Sequence, residues 1–378
     1  MLNFLKQTRR FVNSAEPVCI VLGNESCDLD SAVCAVTLAY HYQQQNATTN
    51  SQIKRKFLPV LNIPRRDYAL KTEVHYVFRQ HAIAVEHLTF RDDLQQDFLA
   101  RSEFILVDHH VSPFATRCLE VFDHRTFDDA AHLTNDCKLH IELVGSCATL
   151  IAEELLKSTT VTTPADAAAQ VTLYTLLRST IVLDTVNFSE AANRATPKDI
   201  EICGKLEELL IKLSNGKPLI ARTKLFDTLV AARADISSLT AMQLLRKDLK
   251  VLTNRDGSVI IAIPGFPLLV QEFIKKPDAA AAVKAFAVET NAAIVLLMGM
   301  LVENGAVRRD IGLVDFKNIG LCQTIREKLW ATTEPALCLQ HYEHCDFLDG
   351  CFYKMGNIKA TRKHILPLVK QILDQMQN

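Results

Sequence analysis

Along the first half of the chain, short apolar runs of strand length alternate with longer stretches in which apolar residues recur with a helical period. VCIVLG (18–23), FILVD (104–108) and CLEVFD (118–123) are predicted strands. Helices are predicted at SAVCAVTLAYHYQQQ (31–45), ATLIAEELLK (148–157) and DAAAQVTLYTLLRSTIVLD (166–184). This alternation is the signature of βαβ units, so the expected fold is α/β, with a mainly parallel sheet between layers of helices. A charged helical stretch, DIEICGKLEELLIKLSNGKP (199–218), runs out through Asn215, Gly216 and Pro218. Such a breaker cluster marks a linker, which gives an N-terminal domain over 1–210, a linker over 211–221 and a smaller α/β domain over 222–378. The second half carries its own strands, SVIIAIPGF (258–266), AAIVLLMGMLV (292–302) and RRDIGLVD (308–315), and closes on the helix ATRKHILPLVKQILDQM (360–376).

Composition supports two domains, since 378 residues with 48% hydrophobic side chains can bury ample core. With 42 basic and 43 acidic residues the formal charge is −1. That balance speaks against nucleic acid as a partner and requires any polyanion site to be local. The N-terminal MLNFLKQTRRFV lacks an apolar core of signal-peptide length, and AAIVLLMGMLV is too short for a membrane span, so no membrane association is expected. Eleven cysteines without CxxC pairs read as reduced, mostly buried thiols, which places the protein in the cytoplasm. The one tempting cluster, HYEHCDFLDGC with His341, His344, Cys345 and Cys351, lacks regular zinc-ligand spacing.

Charge changes the picture at the strand ends. GNESCDLDS places Asn24, Asp28 and Asp30 after the first strand, FILVDHH ends in Asp108, His109 and His110, and CLEVFDHR ends in Asp123, His124 and Arg125. STIVLDTVNFS adds Asp184 after another apolar run, which is counted as a fourth strand end. An isolated Asp before a helix is ordinarily a cap, and Ser31 also fits the cap of the next helix. Asn24 reads equally well as a metal contact and as a turn residue bonding its own backbone. Four such ends in one crevice are different, because clustered carboxylates repel unless cations neutralise them. Two divalent cations sharing a carboxylate would activate a water and clamp phosphoryl oxygens, which suits hydrolysis of phosphate esters or anhydrides.

Asp-x-Asp-Ser after the first strand, a strand-terminal Asp-His-His, a strand-terminal Asp-His-Arg, VGSCATLIAEEL (144–155) and IVLDTVNFS (181–189), in this order, resemble the DHH phosphoesterase superfamily. Within it the match is to the branch of family II pyrophosphatases, cytosolic exopolyphosphatases and prune-type proteins. LLRKDLK (244–250) and ATRKHILP (360–367) resemble the Asp-x-Lys and Ser-Arg-Lys motifs of the DHHA2-like second domain, with the active site expected in the cleft between domains.

The resemblance implies Asp28, Asp30, Asp108, His124 and Asp184 as metal ligands, with Asn24 standing where pyrophosphatases carry His. That replacement shifts the expected pair of divalent ions toward Mg²⁺, with Mn²⁺ possible. It leaves His109 as the alternative to His124 for the ligating histidine. It also implies Asp108, His109, His110 and Arg125 as catalytic residues, and His110, Arg125, Lys250, Arg362 and Lys363 as contacts to substrate phosphates. The implied function is an exopolyphosphatase, releasing orthophosphate from the end of inorganic polyphosphate. The alternatives are a pyrophosphatase, a phosphodiesterase acting on cyclic nucleotides or short oligonucleotides, and a prune-like interaction protein with weak activity.

Overall fold

The computed structural model describes the chain apart from residues 15, 49–54, 158–162, 304, 318–319, 344 and 376–378. It forms two compact units, Met1–Asp235 and Ile236–Asn378. The first is built on six strands: β1 (Val18–Leu22), β2 (Lys56–Leu61), β3 (Thr89–Phe90), β4 (Glu103–Val107), β5 (Cys118–Asp123) and β6 (Lys138–Ile141). Their order is β3-β2-β1-β4-β5-β6, and every pairing is parallel. A parallel sheet covered on both faces needs strands that are apolar throughout. β1 meets this need, with Cys19 and Val21 in the core on one face and Val18, Ile20 and Leu22 in the core on the other. The order reverses between β1 and β4, and such a switch point opens a crevice at the carboxyl ends of the strands.

Helices Leu29–Thr48 and Cys147–Lys157 pack on one face of this sheet and helices Pro164–Asp184 and Pro197–Leu213 pack against those two, their apolar residues all sharing its larger core. Two of them start on capping boxes, Thr163 with Asp166 and Thr196 with Asp199, each with Pro in the first turn. Asp184 is therefore the last residue of a helix, as the helical period of 166–184 indicates, and not the end of a strand. The apolar run STIVL misleads because a helix buried all round shows no polar face.

The Arg222–Ala234 helix, which the breaker cluster assigns to the second domain, packs with the first unit through Leu225, Phe226 and Leu229. The compact units consequently divide after Asp235. Apolar docking outweighs the local Asn-Gly-Lys-Pro signal, which here only joins two helices.

The second unit is a mixed sheet of β7 (Asp248–Thr253), β8 (Ile260–Phe266), β9 (Ile294–Glu303), β10 (Ala306–Asp315), β11 (Leu339–His341) and β12 (Cys351–Met355). Its order is β11-β12-β10-β9-β8-β7, with β8 and β9 parallel and the other neighbours antiparallel. Helices Leu321–Ala331 and Arg362–Gln375 close one core against it. His344 of the HYEHCDFLDGC cluster lies outside the described residues. Among the described residues no helix is long and apolar enough to cross a membrane.

Candidate metal centre and active site

The site begins where β1 ends. A Cβ on Gly23 would lie 2.5 Å from Ser31 Oγ and 3.0 Å from Ser31 O, so glycine lets the Leu29–Thr48 helix start against the strand end. Asp28 caps that helix, its Oδ1 accepting from the Ser31 N–H at 3.1 Å. Ser31, expected as the cap, lies three residues further on because the helix already starts at Leu29; its Oγ accepts from the Asn24 N–H at 2.5 Å. Asp30 is buried in the first turn. Its Oδ2 and Oδ1 accept from the Cys147 and Ala148 N–H groups at 2.7 and 2.8 Å, the free amides at the start of another helix.

Asp108 follows β4 with a left-handed backbone, φ 61°, which a short Asp side chain tolerates. Its buried Oδ1 accepts no hydrogen bond of good geometry, although His124 Nε2 lies at 3.3 Å and Arg125 Nη1 at 2.9 Å. The His124 Nδ1–H donates to Val144 O at 3.1 Å, which turns Nε2 toward Asp108 and, at 3.9 Å, toward Asp30. Holding one ring nitrogen on a carbonyl is how proteins orient a metal-ligating histidine. Ligand atoms of Asp30, Asp108 and His124 all lie within 4.8 Å of one another. Asp184, at the end of its helix, accepts from Ser146 Oγ at 3.0 Å.

The electrostatics are those of a site short of positive charge. Burial, then the charge of Asp30, pushes the Asp108 carboxyl up to about 7. Burial also raises Asp30, and burial followed by the charges of Asp30 and Asp28 raises Asp184 well above the usual carboxylate range. Burial disfavours the His124 imidazolium, yet the close Asp108 carboxylate and the charge of Asp30 lift it to about 9. Raised acids and an unsatisfied buried oxygen beside an oriented imidazole fit a bound divalent cation.

Asn24 sits between the two readings its sequence leaves open. Its Oδ1 accepts from Ser26 N–H at 2.9 Å and Cys27 N–H at 3.1 Å, and these backbone donors fix the amide's orientation. Its Nδ2 therefore donates to Asp108 Oδ2 at 2.6 Å. The turn reading describes this geometry, and the amide oxygen is already occupied. Both nitrogens of His110 are also used: Nδ1–H donates to Asp123 Oδ2 at 2.5 Å and Nε2 accepts from the Asp128 N–H at 2.8 Å. No ring nitrogen of His110 is left for a phosphate. His109 likewise donates from Nδ1 to Val107 O at 3.0 Å, but it is the His124 Nε2 that lies beside the carboxylates of Asp108 and Asp30. Arg125 is exposed, with Nη1 against the Asp108 carbonyl and 3.2 Å from Asp123 Oδ1.

Sequence reasoning names no role for Asp123, Ser146 or Asp199. Asp123 organises its neighbours through His110 and through the His124 N–H, accepted at 2.7 Å. Asp199, fully buried, accepts from Gly145 N–H at 2.8 Å, Thr149 Oγ at 2.5 Å, and Thr196 N–H and Oγ at 2.7 Å each. It thereby ties down the helix start whose amides hold Asp30. The T-P-K-D capping pattern at 196–199 was the available signal, but it reveals only the local half of the network.

Known proteins are similar to this chain over most of its length. The DHHA2 domain family matches residues 227–372. The chain is 33% identical over 387 residues to the exopolyphosphatase PRUNE1 of Rattus norvegicus, covering 99% of this chain and 79% of that protein. This chain belongs to the prune branch of the DHH phosphoesterase superfamily. PRUNE1 of Homo sapiens, also named an exopolyphosphatase, is 32% identical over 384 residues, 99% of this chain and 79% of its own. A crystal structure of an exopolyphosphatase-related protein from Bacteroides fragilis aligns over 99% of this chain and 96% of its own, with 14% identity and a TM-score of 0.40.

In the DHHA2 region of this prune-branch chain, a cavity of about 520 Å³ is lined by Lys247, Phe266, Met298, Arg309, Arg362 and Lys363 among others. Arg362 opens the Arg362–Gln375 helix and grips Asp248, Nη2 to Oδ2 at 2.5 Å and Nη1 to the carbonyl at 2.8 Å. Lys250 stands exposed two residues along β7 from that Asp248. Lys250, Arg362 and Lys363 thus belong to one unit, and all the residues of the carboxylate cluster to the other.

Proposed function

We infer that this chain is an exopolyphosphatase that hydrolyses the terminal phosphoanhydride of inorganic polyphosphate and releases orthophosphate, using two divalent cations with Mg²⁺ favoured over Mn²⁺. One observation carries the reading: Asp30 and Asp108, both with raised carboxyls and both near enough for their charges to act on Asp184, gather beside an oriented His124 in a chain whose relatives are named exopolyphosphatases. Asp28, Asp30, Asp108, His124 and Asp184 would hold the cations, which when bound would supply Lewis acidity toward phosphoryl oxygens and a water nucleophile.

The chain's own groups do the positioning. Asn24 steadies Asp108, and Val144 O holds the His124 ring. Arg125, tethered through Nη1, keeps the rest of its exposed guanidinium plane for phosphate oxygens. His109 and Arg125 on this unit, with Lys250, Arg362 and Lys363 on the other, would contact the substrate's phosphates. A phosphate would compete with Asp248 for Arg362, whose planar fork suits either oxyanion. A reducing compartment such as the cytoplasm fits the eleven free cysteines.

A second reading, phosphodiesterase action on a nucleotide, gains from Phe127. This exposed ring, two residues beyond Arg125, stacks on His110 with centroids 5.2 Å apart and could stack a base. The test is orthophosphate release from pyrophosphate, tripolyphosphate and long polyphosphate, and cyclic-nucleotide cleavage, each with Mg²⁺ and Mn²⁺, for the wild type and Asp108→Ala. Turnover of tripolyphosphate or longer chains that Asp108→Ala abolishes supports the exopolyphosphatase. Turnover confined to pyrophosphate or the nucleotide replaces the substrate, and no turnover at all leaves a binding protein.

A further inference from the structure

Directly after Asp184 the backbone does something costly. Val186, Asn187 and Phe188 have φ of 52°, 52° and 59°, three consecutive left-handed residues without a glycine among them. For β-branched Val186 this conformation is a genuine outlier, and such strain persists only where surrounding contacts over-determine it. Three backbone bonds run through the turn, Val186 N–H to Leu183 O at 3.2 Å, Asn187 N–H to Val182 O at 2.8 Å and Ser189 N–H to Val186 O at 3.1 Å.

The contacts that hold it come from the start of the Arg222–Ala234 helix and from partial packing of Phe188 against the apolar core. The Arg222 guanidinium lies over the Phe188 ring, 4.9 Å from its centroid, and Asn187 Nδ2 donates to Thr223 Oγ at 3.4 Å. Arg222 is itself fixed by Glu207 in a bidentate pair, Nε to Oε1 at 2.9 Å and Nη2 to Oε2 at 2.6 Å. Glu207 also accepts from Arg178 Nε at 2.7 Å, and buried Arg178 donates onward to Ile220 O at 2.9 Å. Arg178 stands on the helix that ends in Asp184, so the network leaves that helix, crosses the next, and returns to the turn that terminates the first.

A helix of this length could end in an ordinary cap with no such apparatus. What the apparatus does is fix the last turn, and with it the direction of Asp184, against the repulsion of Asp30 and Asp28.

We propose that Arg222, Glu207 and Phe188 form a clamp that positions Asp184 for a divalent cation, with Arg178 anchoring Glu207. The proposal rests on Asp184 being a metal ligand. The three are positioning residues, and none of them needs to touch substrate.

The experiment is Mn²⁺ titration by calorimetry on the full chain, without substrate, alongside circular dichroism and thermal unfolding in chelator. The variants are Arg222→Ala, Arg222→Lys, Phe188→Leu and Asp184→Asn, with Arg55→Ala, which breaks the exposed Arg55–Glu103 pair, as control. Folded Arg222→Ala and Phe188→Leu should bind Mn²⁺ roughly ten-fold or more weakly, the range typical of residues that orient a metal ligand. Arg222→Lys, which keeps the charge and loses the fork, should fall between wild type and Arg222→Ala, while Arg55→Ala binds as wild type. Wild-type Mn²⁺ affinity in folded Arg222→Ala or Phe188→Leu, with weakened binding in Asp184→Asn, overturns the clamp and spares the metal site. Wild-type affinity in Asp184→Asn overturns both. Should Arg222→Ala fail to fold, Phe188→Leu decides, because it keeps the apolar volume and removes only the ring beneath the guanidinium.

Discussion

Asp108 reaches about 7 because burial and the charge of Asp30 disfavour its ionised form, and His124 reaches about 9 because the same carboxylates hold its proton. Both groups are raised above their unfolded values, so each stabilises the metal-free protein at low pH. For Asp108 that contribution fades as pH climbs from about 4 to about 7, and for His124 as it climbs from about 6.5 to about 9. A cation must displace these protons, so Mn²⁺ affinity should rise roughly ten-fold per pH unit for each proton released between pH 5 and 8. The gap in unfolding midpoint between Mn²⁺-loaded and chelator-treated protein should widen over the same interval. A gap independent of pH would place the cation elsewhere. Asn24→Ala, which leaves Asp108 Oδ2 without its 2.6 Å donor, should lower kcat roughly ten-fold while the fold is retained, as activity and circular dichroism on one preparation would show.

At the scale of elements, the hydrophobic pattern identifies the strands that carry the site, β1, β4 and β5, and the helices packed on them. It does so because continuous apolar runs and helical periods are properties of neighbouring residues. What it misses is how one helix start holds another's acid. Asp30 lies on one helix, the amides that bind it open a second, and Asp199, which fixes those amides, opens a third. Asp199→Ala strands four donors, among them the buried Thr149 hydroxyl. We expect a loss of roughly 3 kcal/mol of stability by urea unfolding, with Mn²⁺ affinity reduced in the fraction still folded. Asp184 shows the converse: a run of apolar residues with an acid at its end looks alike in a strand and in a buried helix. The residues after it, strained at Val186 to Phe188, carry no glycine that would have announced the turn.

Across the whole molecule the formal charge is only −1, so attraction of a polyanion depends on local groups and not on a general field. The KM for tripolyphosphate should accordingly rise with ionic strength, and Lys250→Ala and Arg362→Ala should raise it about ten-fold at low salt while flattening that dependence. An unchanged salt profile in both variants would remove them from the substrate's path. By itself the sequence determined the class of fold, the succession of elements and the presence of acids at or just past the ends of β1, β4 and β5, because each of these is written in contiguous residues. Only the tertiary structure decided that His124 and not His109 meets Asp108, that Asn24 spends its oxygen on a turn, that His110 has no free nitrogen, and that Arg222–Ala234 packs with the first unit. The last of these rests on apolar docking between segments distant in the chain. The other three depend on which polar groups lie within about 3 Å of one another, and β1, β4 and β5 bring together residues from Asn24 to Arg125 only once the parallel sheet has set its order.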